Sequence, residues 1–175
     1  MESLWNKGKI DLYYGDESHV CTEGYVPYGW QFPNEQVCIL SERSQRMNCF
    51  AMIDRNSKCF QFSTMENMSA EKLVDFLEKF SFSIEKETFI VLDNASVHRA
   101  KSIMERVPFW QKRGLFLFFL PPYSPHLNIA EVIWRKLKGE WIKPEDYIAK
   151  EQLFYATKKA LAALGNNLFI NYSHI

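Results

Sequence analysis

The chain has 175 residues, the length of one ordinary domain. Hydrophobic residues make up 47% of it, which excludes global disorder, and 21 basic against 21 acidic residues exclude a basic nucleic-acid wrapper or an acidic tail protein as a whole-chain description. The densest apolar run, Leu115 to Leu120, is too short to span a bilayer, and Met1 to Lys7 lack the shape of a signal peptide.

In chain order, Ile10 to Tyr14 reads as a strand. Gly24 to Pro33 is a Gly/Pro-rich loop with aromatic contacts, and Val37 to Leu40 fits a short strand. Met47 to Ile53 and Cys59 to Ser63 flank the turn residues Asp54-Arg55-Asn56-Ser57, which predicts a hairpin. Ser69 has the chemistry of a helix N-cap, and Leu73, Val74, Phe76, Leu77 and Phe80 give a helical stripe behind it. Phe89 to Leu92 is a continuous apolar run ending at Asp93, the pattern of a strand covered on both faces. Ala100, Ile103, Met104 and Val107 predict a helix that breaks near Pro108. A second fully apolar strand, Leu115 to Leu120, is stopped by Pro121-Pro122. Ala130, Ile133, Trp134, Leu137 and Trp141 fall on one helical face, and Leu153 to Leu164 marks a last helix with Gly165 as its C-cap. An antiparallel start followed by alternating helices and strands predicts an α/β fold, a mixed sheet with helices on both faces.

Cys21, Cys38, Cys49 and Cys59 form no C-x-x-C pair, so zinc-ribbon and dithiol motifs are absent and reduced thiols in a cytosolic protein are expected. The zero net charge hides an asymmetry. Residues 1–92 carry 9 basic and 14 acidic residues, whereas residues 93–143 carry 9 and 4. The second segment is either a solvated face or a local phosphate-contacting surface.

Three acidic residues occupy special places. Asp16 is expected just after the first strand, Asp93 ends the apolar strand, and Glu131 opens the helix after the Pro-rich loop. In open sheets, sites form beyond the carboxyl ends of parallel strands, and a helix beginning there can add a third carboxylate. Carboxylates suit a hard divalent cation, and three of them suit a two-metal phosphodiester site. Each residue also has a plainer reading. Asp16 is a turn residue, with Asp11 or Glu17 the relevant acid instead. Asp93-Asn94 starts a turn, and Asn128 with Glu131 forms a helix cap.

Four segments resemble, in order, the catalytic domain of DDE transposases, in the superfamily joining mariner-like elements with bacterial insertion-sequence relatives. They are Gly15-Asp16-Glu17-Ser18, Leu92-Asp93-Asn94-Ala95-Ser96-Val97-His98, Leu120-Pro121-Pro122-Tyr123-Ser124-Pro125-His126-Leu127-Asn128 and Glu131-Val132-Ile133-Trp134-Arg135-Lys136-Leu137-Lys138. Between Asp93 and Glu131 lie 37 residues, a spacing in keeping with the superfamily. Gly29-Trp30 resembles a further family feature, and the similarity runs from about Ile10 to Ile142. The resemblance implies a ribonuclease-H-like fold, with Asp16, Asp93 and Glu131 as catalytic residues and as ligands of two Mg²⁺ or Mn²⁺ ions. It implies cleavage of DNA at transposon ends, then transfer of the freed 3′ hydroxyl into target DNA, with no covalent enzyme intermediate. DNA is the implied partner, a homodimer the implied state of the complete protein, and the bacterial cytosol and nucleoid the implied location, with no membrane.

Two departures from the family pattern stand out. Ile129-Ala130 replace a Pro expected shortly before the third acid, and His126 takes a position that is often acidic. With the first acid at residue 16, residues 1–175 are expected to form a single catalytic domain, without the N-terminal helix-turn-helix region of such transposases. The other implied roles are supporting or DNA-contacting, by Glu17, Asn94, His98, Tyr123, Asn128, Arg135 and Lys138. Trp134 fits the apolar stripe and reads as core packing, while Tyr28 and Trp30 contact DNA or fold their loop down. Three rival readings are a His/Asp transition-metal site using His19 and His126, a catalytically silent DNA-bridging or protein-interaction remnant, and a junction-cutting nuclease of the same fold.

Overall fold

Alternation along Asp11–Cys21 (β1) sends Leu12 and Tyr14 to one side of a sheet and Tyr13 to the other, and both sides are buried. The computed structural model describes residues 1–23, 45–122 and 124–172. Within them, β1 is joined by β2 (Arg46–Ile53), β3 (Cys59–Thr64), β4 (Thr88–Leu92) and β5 (Leu115–Phe119) in one sheet of order β3-β2-β1-β4-β5. The pairs β1/β2 and β2/β3 are antiparallel, and β1/β4 and β4/β5 are parallel. The hairpin, the apolar β4 and the mixed sheet are as expected from the sequence. The proposed strand at Val37 to Leu40 lies outside the described residues, as do Cys38, Tyr28, Gly29 and Trp30.

Helix α1 (Glu2–Asn6) precedes β1 and carries no periodic signal; its Glu2 carboxylate accepts from Tyr14 and Arg55. Helices α2 (Ala70–Ser81) and α3 (Lys101–Lys112) cover one face, where Leu73, Leu77, Ile103 and Trp110 meet Phe50, Ile90 and Leu92. Helices α4 (Glu131–Lys136) and α5 (Lys150–Ala163) cover the other, where Ile133, Leu137, Leu153 and Leu161 meet Leu12, Ala51 and Val91. Thus β4 is apolar from Phe89 to Leu92 because both of its faces are covered. β5 is different. It is the sheet edge, only Leu115 in it is buried, and Phe118 is exposed.

Three helix ends show what periodicity can and cannot say. Ser69 caps α2, its hydroxyl accepting from the Lys72 amide, as expected. Gly165 follows α5 at φ +77°, where a Cβ would lie 2.8 Å from the Ser57 carbonyl oxygen. Helix α3, however, does not break at Pro108 but runs through it. The backbone hydrogen bond lost at Pro108 is offset by a lock on α2. Glu78 accepts from Trp110 Nε1 (2.9 Å) and Arg113 Nη1 (2.7 Å), and pairs with Arg106 Nη2 (2.7 Å).

The helix expected from Ala130 to Trp141 is also divided. After Lys136 the chain opens into a π turn, Leu137–Trp141, with the Ile142 amide bonded to the Leu137 carbonyl. Gly139, a poor helix former, lies in this turn, and Trp141 is only half-buried. Among the described residues no helix is long and apolar enough to cross a membrane.

Candidate active site

The parallel register brings the first two acids together. Gly15 pairs with Leu92, the last residue of β4, so Asp16 and Asp93 come next on neighbouring strands. Asp16 does not follow the first strand, as the short apolar pattern suggested. β1 continues to Cys21 because β2 pairs with it from Tyr14 onward, and Asp16 stands opposite Ala51. It nevertheless sits at the carboxyl edge of the parallel half of the sheet, because β4 stops there.

Asn128 brings in the third acid. It is buried; its Nδ2 donates to the Gly15 carbonyl (3.0 Å) and its Oδ1 accepts from the Ala130 amide (3.2 Å). One side chain thus ties the start of α4 to the residue before Asp16. Asn128 stands two positions before the cap residue Ala130, so it acts as a clamp on the approach rather than as the helix cap itself. Ala130 has φ −63°, a helical value within the range of a proline ring, and its amide donates to Asn128.

Asp93, Asn94, Pro121, Pro122, Asn128 and Glu131 help line an open cleft of about 360 Å³. Asp16 itself is only 6% exposed. Its Oδ2 accepts from Trp134 Nε1 at 2.9 Å. Burial, then the charges of Glu131, Glu17 and Asp93, push its pKa up to about 7, against the downward pull of the Trp134 hydrogen bond. Burial and the charge of Asp93 raise Glu131 as well, while Lys138 opposes them. The three carboxylates therefore crowd one another electrostatically. Among the described residues no three His, Cys, Asp or Glu side chains are already gathered at metal-binding distance. The residues fit a divalent cation in two respects. Their donors are hard carboxylate oxygens, and their repulsion is what such a charge relieves.

Glu17 and His98 meet on the opposite face of β1. His98 is fully buried, with Nδ1 2.6 Å from Asp93 Oδ1 and Nε2 2.6 Å from Glu17 Oε2. Burial alone would push the imidazole down, but the two carboxylates outweigh it and the net shift is upward. Lys138 donates to Ser18 Oγ (2.9 Å), two residues beyond Asp16, from the π turn. Asn94 accepts from Arg99, whose guanidinium stacks on Phe119. Arg135 is exposed, and Tyr123 lies outside the described residues. His19 and His126 do not share a site. His126 lines a separate pocket with Glu2, Tyr14 and Arg55.

Sequence reasoning missed the role of Trp134. Its place in the apolar stripe explains its burial, but a buried indole N–H needs an acceptor, and the acceptor is Asp16. Its position three residues after Glu131 was the available signal.

A five-stranded mixed sheet with helices on both faces is the ribonuclease-H-like arrangement, and known proteins share it. The family model for the DDE superfamily endonuclease matches residues 11–154, and the chain belongs to that family. Among solved structures, a Mos1 transposase paired-end complex with the left transposon end aligns with TM-score 0.64 at 13% identity, over 93% of this chain and 51% of that one. A Mos1 mariner paired-end complex with Mn aligns with TM-score 0.64 at 14% identity, over 93% and 52%. The catalytic core domain of BIV integrase aligns with TM-score 0.56 at 12% identity, over 90% and 84%. These likenesses establish the fold. The chain spans about half the length of the Mos1 transposase chains. No curated protein matches in sequence.

Proposed function

We propose that this chain is the catalytic domain of a transposase, which cuts DNA strands at transposon ends and joins the freed 3′ hydroxyl to target DNA. Asp16, Asp93 and Glu131 would together hold two Mg²⁺ or Mn²⁺ ions. The observation that carries this reading is placement: the parallel register sets Asp16 and Asp93 side by side at the sheet edge, and Asn128 ties the start of α4 to Gly15 so that Glu131 lines the same cleft as Asp93. A second supporting fact is family membership over residues 11–154. The Mos1 paired-end complex with its left transposon end supports DNA as the partner, and a homodimer is the state of the complete protein in this reading. The location that goes with this reading is the bacterial cytosol, at the nucleoid.

The chemistry supplied by bound divalent ions is activation of the attacking oxygen and stabilisation of the leaving one. The chain's own part is to place and tune the carboxylates. Trp134 holds Asp16 by one oxygen, Asn128 fixes α4 against β1 so that Glu131 opens toward the cleft, and Asp93 lines that cleft. Lys138, on the turn after α4, donates to Ser18 and its charge is felt by Glu131, so it would meet a phosphate oxygen near the cleft. Arg135 extends the same basic surface.

Nicking of supercoiled plasmid tests the reading. The parent chain should nick only with Mg²⁺ or Mn²⁺. Asp93→Asn should lose at least about 100-fold, since even groups that merely support metal ligands are worth 10–100-fold. Equal nicking by both proteins would refute the carboxylate site, and nicking confined to branched DNA would favour a junction nuclease.

A further inference from the structure

We propose that His98 is a positioning residue that braces Asp93 against Glu17 and so fixes which oxygen of Asp93 faces the cleft. The proposal rests on the metal-site reading above. Asp93 Oδ1 is committed twice, accepting from the Ala95 amide at 3.0 Å and meeting His98 Nδ1 at 2.6 Å. Among the described residues no donor reaches Oδ2, which is left as the ligand atom. The His98 ring is fully buried, and its edge-to-face neighbour Phe50 stands directly opposite Glu17 on β2. The ring is therefore confined by packing on one side and by carboxylates at both nitrogens.

Glu17 is the far end of the brace. It follows Asp16 on β1, and alternation turns it to the other face of the sheet. Its Oε2 is buried against His98 Nε2 in a close ion-pair contact that is not aligned as a hydrogen bond. Glu17 is thus an anchor and not a second ligand on β1. Two consecutive residues of one strand then govern two of the three acids. Asp16 is placed directly, and Asp93 is placed through the imidazole.

The test is Mn²⁺ affinity by calorimetry on the whole chain without DNA, with folding followed by circular dichroism. Glu17→Ala should weaken Mn²⁺ about 10-fold, as loss of an outer partner of a ligand does. Glu17→Gln, which keeps an oxygen beside His98, should stay close to the parent. Asp93→Asn should lose far more than either. Equal, large losses in Glu17→Gln and Glu17→Ala would make Glu17 a ligand and overturn the proposal, as would parent-like affinity in Glu17→Ala. The brace has a metal-free readout in the imidazole ¹⁵N shifts of His98. These should move in Glu17→Ala and in Asp93→Asn, and unchanged shifts in Glu17→Ala would remove the brace alone. A parent chain that binds no Mn²⁺ would instead remove the metal-site reading, and with it the purpose assigned to the brace.

Discussion

Asp16 is a carboxylate withdrawn from water and set among other carboxylates, an arrangement that works against folding. Its pKa, raised from 3.8 to about 7, gives this a sign. Below about pH 4 the group is protonated in the folded and unfolded chain alike and has no effect. Between about 4 and 7 the folded state retains a proton that the unfolded state has released, so the metal-free protein loses stability as pH rises. Asp16→Asn keeps an acceptor for Trp134 and has no charge to bury. In chelator, its melting temperature should match the parent near pH 4 and exceed it by at least about 2 °C at pH 8. A constant difference across this range would show that the Asp16 charge is not the source. Period-two alternation makes it legible that Asp16 and Glu17 face opposite ways, but not which face holds the site. That depended on where β4 ends, a fact of pairing and not of β1's own residues.

At the scale of elements, the site depends on two locks that join segments distant in the chain. Asn128 joins the Pro-rich approach to β1. Asn128→Ala leaves the Gly15 carbonyl and the Ala130 amide without their partner, and should lower stability by about 1–3 kcal/mol in denaturant unfolding. Its nicking rate should fall further than that loss explains, because Glu131 is no longer held against β1. Glu78 joins α2 to α3. Glu78→Ala strands the indole N–H of the fully buried Trp110, which should cost about 2 kcal/mol while leaving Mn²⁺ affinity unchanged, since this lock is remote from the cleft. The same elements mark the limits of reading a sequence. The stripe from Leu73 to Phe80 and the run from Phe89 to Leu92 announce themselves through period and burial. Pro108 does not, because its backbone penalty is offset by Glu78, 30 residues earlier in the chain. The π turn at Leu137–Trp141 escapes too. A 3.6-residue stripe continues on paper to Trp141, whereas the extra residue in the turn carries Lys138 to Ser18.

The molecule as a whole joins an antiparallel half, β3-β2-β1, to a parallel half, β1-β4-β5, and β1 belongs to both. The candidate site lies where β1 outlasts β4. This explains why an acid in the middle of a long strand can stand at the carboxyl edge of a parallel sheet. The three candidate acids were picked out by the resemblance of the motifs around them, while the contacts of Trp134 with Asp16 and of His98 with Glu17 and Asp93 required the fold. The central claim is that Asp16, Asp93 and Glu131 act as one divalent-metal centre. Anomalous diffraction at the manganese edge, from crystals of this chain grown with Mn²⁺, tests it most directly. The account predicts difference peaks bounded by the carboxylates of all three residues, and their loss in Asp93→Asn crystals. Manganese bound elsewhere, or by one of the three acids alone, would contradict it.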